Sequence, residues 1–150
     1  MKTDKYLITE LKPLSKRGTF RPGHDDREGD EAHLRVLNVD EDIIKGAFFM
    51  ESVWIWPTDK EVVAEPQTHT HEFDELVAFI GTDTENPHDL GGEIEMWLDG
   101  EKHTITKSCL VFVPKGMKHC PLVVKRVDRP IFHFTAGTGG KYISSIEQIQ

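Results

Sequence analysis

The segment HTHEFDE, residues 69–75, places His69 and His71 two positions apart. On a β-strand such a pair projects both imidazoles from one face, with Cα atoms roughly 6–7 Å apart, so two ring nitrogens can meet one metal ion. Glu75 lies four residues beyond His71. A straight strand would carry it roughly 13 Å away, too far to share the ion. The reading therefore requires a turn across Glu72 to Asp74 and a return strand that begins at Glu75. ELVAFI fits that strand, and alternation aims Val77 and Phe79 to the same side as Glu75. A third nitrogen comes from PKGMKH, where Pro114 and Gly116 form a tight turn after CLVFV and deliver His119 at the start of CPLVV. His69, His71, Glu75 and His119 thus make a candidate ligand set for a divalent metal, with positions left open for substrate, water or dioxygen. The set contains no soft thiolate, so it suits Fe, Mn, Ni, Co, Cu or Zn without choosing among them.

Other residues carry weaker signals. His133 sits in IFHFTA, whose alternation sets Ile131 and His133 against Phe132 and Phe134. Parity alone does not say which pair faces inward; His133 is a candidate acid, base or substrate donor. Phe79, by parity with Glu75, and Met96, by the hairpin register below, are candidates for the substrate-binding wall, and plain core packing fits both equally well. Cys120 directly follows His119, so strict alternation turns its thiol away from the metal, and both Cys120 and Cys109 read as packed thiols. His24, His33, His88 and His103 show no partners and read as solvated or locally satisfied. Glu72 and Asp74 read as a solvated acidic turn. Trp54 and Trp56 share one face of VWIW, where they either pack the core or cover a dimer interface.

The elements that must hold these residues read as an all-β domain. HLRVLNV alternates as a strand does, and beyond residue 45 come GAFFMESVWIW, ELVAFI, GEIEMWL, HTITKS, CLVFV, CPLVVKRV and PIFHFTA. Turn signals separate them at short intervals, which suits an antiparallel sandwich or barrel. Asp99-Gly100 favours a two-residue type I′ turn. That turn pairs Leu98 with Glu101, Met96 with His103 and Ile94 with Ile105 on an inner face, and leaves Glu93, Glu95 and Trp97 with Lys102, Thr104 and Thr106 outside. TELKPL is short and interrupted by Pro, Arg21 to Glu31 reads as an exposed acidic loop, and SSIEQIQ reads as a short helix or a frayed tail.

The chain has 150 residues, a length for one domain. Its charge, 18 − 26 = −8, argues against a nucleic-acid partner, which would need clustered Lys and Arg. No apolar run approaches the roughly 18–20 residues of a membrane helix, so no membrane partner is expected. MKTDKYLITELK lacks the apolar segment of a secretion signal, and two cysteines make no disulfide framework. A cytoplasmic protein is the expectation.

The residues resemble the cupin family. Its first motif, with H-x-H, three or four residues and Glu, is matched at His69, His71 and Glu75; its second, P-x-G-x2-H, is matched at Pro114, Gly116 and His119. The resemblance spans about residues 46–136. Val63 and Ser108 stand where the two motifs open with Gly, Gly81 comes one residue early, and Val123 replaces Asn. The resemblance implies a double-stranded β-helix, or jelly roll, with the metal inside near one mouth. It divides the chain into an irregular extension and loop packing on the barrel, 1–45, and the cupin barrel, 46–150. It further implies a metal-dependent isomerase, decarboxylase or dioxygenase acting on a small polar substrate that ligates through oxygen, and a homodimer. A non-catalytic barrel that binds or senses a small ligand with the help of its metal is the alternative.

Overall fold

A computed structural model describes residues 1–11 and 31–139. Among the described residues a 3-10 turn at Asp4–Tyr6 precedes nine strands: β1 His33–Val39, β2 Phe49–Ile55, β3 Val62–Glu65, β4 Glu75–Gly81, β5 Asp89–Leu98, β6 Glu101–Lys107, β7 Cys109–Val113, β8 His119–Val127 and β9 Ile131–Gly137. They form a five-stranded sheet in the order β1-β2-β9-β4-β7 and a four-stranded sheet in the order β3-β8-β5-β6. From β6 onward each strand crosses to the opposite sheet, so the chain winds as a double-stranded β-helix. All pairings are antiparallel. Among the described residues no helix is long and apolar enough to cross a membrane.

The β5–β6 hairpin has the expected register, with Leu98 opposite Glu101, Met96 opposite His103 and Ile94 opposite Ile105. Asp99 and Gly100 both have positive φ, 48° and 83°, as a type I′ turn demands. Ile94 and Met96 are buried, while Trp97 on the other face is exposed. They join Ile55, Phe79, Leu90, Val113, Val124 and Ile131 in a core between the two sheets.

Three readings need correction or supplement. β3 was not anticipated; VVAE is only four residues long and lies between charged and Pro-containing stretches, too short for alternation to show. HLRVLNV is β1, the edge of the five-stranded sheet, and its His33, Arg35 and Asn38 are buried. The register slips between Arg35 and Leu37, so Val36 is an extra residue that bulges toward solvent. Trp54 and Trp56 stack on each other at 6.1 Å, and Trp54 meets Phe132 edge-on at 5.3 Å. Neither belongs to the buried core. The acidic loop up to residue 30, His24, the end of TELKPL and SSIEQIQ lie outside the described residues.

Candidate metal centre

The site is built where the β3–β4 connection meets the turn before β8. Pro114 to Met117 closes with a Met117 N–H to Pro114 carbonyl bond of 3.0 Å, and Gly116 supplies the φ of 83° that such a turn needs in its third position. The chain bends at Glu72 and Phe73 and returns as β4 from Glu75, as the spacing requires. Five hydrogen bonds fasten the two segments. His69 and His119 exchange backbone N–H to carbonyl bonds, both 3.0 Å, and Gly116 N–H donates to the His71 carbonyl at 3.0 Å. Lys115 N–H donates to Asp74 Oδ1 at 2.9 Å, and the Thr68 hydroxyl donates to the Cys120 carbonyl at 2.9 Å. Asp74 is thus exposed but holds the turn that carries His119, beyond the solvated role read for it.

His69, His71, Glu75 and His119 are all buried and adjacent. The ring centroids lie 4.8 Å apart for His69 and His71, 4.3 Å for His69 and His119, and 4.9 Å for His71 and His119. Glu75 lies between two rings, with Oε2 3.0 Å from His71 Nε2 and Oε1 3.6 Å from His119 Nε2. His69 Nδ1 donates to the Gln67 carbonyl at 2.9 Å and His119 Nδ1 to the Met117 carbonyl at 3.0 Å. A carbonyl only accepts, so in the neutral rings the lone pair sits on Nε2, the form a metal takes. Burial holds the His119 pKa below the ordinary histidine range, which favours that neutral form. Phe73 stacks on His71 at 4.8 Å and meets Phe49 edge-on at 5.1 Å, so an aromatic pair backs the ring. The only sequence sign of this was one aromatic residue inside an acidic turn.

Cys120 departs from the expectation. β8 runs from His119 to Leu122 opposite Leu98 to Met96 on β5, three steps against two, so a bulge falls at Cys120 and Pro121. Cys120 takes a φ of 74°, alternation breaks, and the thiol lines the same cavity as His119 instead of turning away. By donor atoms the cluster divides into two triads that share His119. One is His71, Glu75 and His119; the other is His69, His119 and Cys120, and the members of each lie within 4.8 Å of one another. Burial pushes the Cys120 thiol pKa well up, and the Glu65 and Glu75 charges add to that.

The centre opens into a cavity of about 110 Å³ between the sheets. Met96 and His133 line it. His133 Nδ1 donates to the Ala78 carbonyl at 2.9 Å, and its ring stacks on Phe79 at 4.7 Å and 9°. Phe79 itself is fully buried and backs His133. His33, Glu51 and Thr135 also line the cavity and were missed. Each occupies an inward position that becomes visible only when β1, β2 and β9 are placed side by side. Buried Arg35 forms an ion pair with Glu51. His33 is therefore a cavity residue, whereas His88 and His103 are exposed as read.

The order of strands, the paired sheets and the position of the cluster inside them decide the architecture. The fold is a double-stranded β-helix. No protein-family model matches the chain, and no curated protein matches it. Among solved structures, the chain is similar to an RmlC-like cupin from Shewanella frigidimarina, at 15% identity over 83% of this chain and 93% of that one, with a TM-score of 0.44. It is also similar to a Klebsiella pneumoniae protein with a double-stranded β-helix domain, at 12% identity over 85% and 95%, with a TM-score of 0.48. A DMSP lyase, DddQ from Ruegeria pomeroyi, is 22% identical over 66% of this chain, with a TM-score of 0.40; the chain spans only 42% of that protein's length.

Proposed function

We propose that the cupin barrel binds one divalent transition metal (Fe, Mn, Ni, Co, Cu or Zn) through His69, His71, Glu75 and His119, and acts there as an enzyme on a small polar molecule. The observation that carries this reading is a pair of buried atoms, His119 Nε2 and Glu75 Oε2, that make no hydrogen bond. A buried nitrogen and a buried carboxylate oxygen that make no hydrogen bond are costly, and a cation relieves both at once. The 3.0 Å between His71 Nε2 and Glu75 Oε2 also matches the edge of a coordination sphere, about 3.0 Å for ligands about 2.1 Å from a metal.

When bound, the ion supplies a Lewis acid for a substrate oxygen or, as iron, a site for dioxygen. The chain supplies the rest. Phe79 and the Ala78 carbonyl hold the His133 ring at the cavity wall, and in this reading His133 is the group that exchanges a proton with a substrate. Met96 and Leu122 exclude water on the opposite sheet. Isomerisation, decarboxylation and oxygenation are all compatible with one acid/base group beside one metal.

Metal analysis of protein purified without chelator tests the first half; about one equivalent of a transition metal is expected. Absence of metal, persisting after reconstitution with each of the six ions, would overturn it. Incubation of the iron-loaded protein with a pool of small hydroxy and oxo acids, followed by oxygen uptake and mass, tests the second. Turnover supports an enzyme, and a ligand retained unchanged indicates a binding protein instead.

A further inference from the structure

We infer that Cys120 is a further ligand at this centre, its sulfur sharing the ion with His69 and His119. This rests on the metal-binding reading above but names a donor outside its ligand set. The bulge that starts β8 is what makes it possible, because it turns two consecutive residues, His119 and Cys120, toward the same cavity. The donor atoms of His69, His119 and Cys120 lie within 4.8 Å of one another. Nitrogen and sulfur ligands about 2.0–2.3 Å from a tetrahedral ion stand about 3.3–3.6 Å apart, a spacing within reach of small side-chain rotations from this arrangement. Independently of the cysteine, the deeply buried His119 Nε2 makes no hydrogen bond, and His119 belongs to this triad as well as to the one with Glu75.

The local backbone is held in place for such a role. The Thr68 hydroxyl bonds the Cys120 carbonyl, and the His69–His119 backbone pair lies immediately beside it. On binding, the S–H bond breaks, a metal–sulfur bond forms and the proton leaves to water; no electron is transferred. A thiolate is a soft ligand and biases a site toward zinc, cobalt and copper, whereas His71 with Glu75 suits manganese and iron. His119, common to both triads, is the pivot between a harder and a softer donor set.

X-ray absorption on the zinc-loaded full chain tests this without any substitution. One sulfur scatterer at about 2.3 Å, beside nitrogen and oxygen at about 2.0–2.2 Å, is the expected result. Cobalt-loaded protein should show a thiolate-to-metal charge-transfer band that disappears in Cys120→Ser at unchanged cobalt content and persists in Cys109→Ser. One bound equivalent without the sulfur signal, or a band that survives in Cys120→Ser, overturns the inference and leaves the metal reading intact. Failure of the wild-type chain to bind zinc and cobalt overturns the inference, and the metal reading falls with it when none of the six ions binds.

Discussion

β4 and β8 bring donors to one cavity from facing sheets, and they present their side chains by different rules. β4 alternates regularly, so Glu75, Val77 and Phe79 all face inward and a single carboxylate reaches the centre. β8 begins with a bulge, so His119 and Cys120 both face inward and two donors of different softness arrive together. A regular strand can offer a ligand at every second residue, about 6–7 Å apart. A bulge places two neighbours on one side, a common device beside functional sites. The difference between the two strands is therefore a difference in ligand density.

Substitutions separate the two contributions. His119→Ala removes the donor common to both triads and should weaken zinc and manganese binding alike, beyond the roughly 10–100-fold seen when a mere supporting partner of a ligand is lost. Retention of either metal at wild-type affinity in equilibrium dialysis would contradict the pivot role. Glu75→Gln and His71→Ala disable the β4 side only. Manganese affinity should fall by about 10–100-fold and zinc affinity by less, so the ratio of the two, measured by chelator competition, is the informative quantity. A smaller effect is expected from Asp74→Ala, which removes the acceptor of the Lys115 N–H: about 1 kcal/mol of stability in urea denaturation and a modest loss of metal affinity. Smallest at the centre is Gly100→Ala. A Cβ at φ 83° costs about 1–2 kcal/mol of stability but meets no atom within 4 Å, so the Asp99 N–H bond to the Lys118 carbonyl beside His119 stays in place and metal content should not change.

Much of this architecture is legible in the sequence where local rules govern. Asp99-Gly100 sets a hairpin register that holds residue by residue, and His69, His71, Glu75 and His119 come together because turn residues stand where the chain must reverse. What escapes notice depends on neighbours far along the chain. Cys120 changes sides because β5 opposes two residues of its own span to three of β8, a mismatch that neither segment reveals alone. His33, Glu51 and Thr135 become cavity residues only through the β1–β2 and β2–β9 pairings. β3 has too few residues to display a period.

The reciprocal backbone bonds between His69 and His119 have a kinetic consequence. An arriving ion meets donors whose separation is set by the main chain, so capture asks little more than small ring rotations. Departure offers no easy stepwise route, because neither imidazole can swing outward without breaking its Nδ1 bond to the Gln67 or Met117 carbonyl. Such a centre should exchange its metal slowly even where its equilibrium affinity is ordinary, and isotope exchange would time that release.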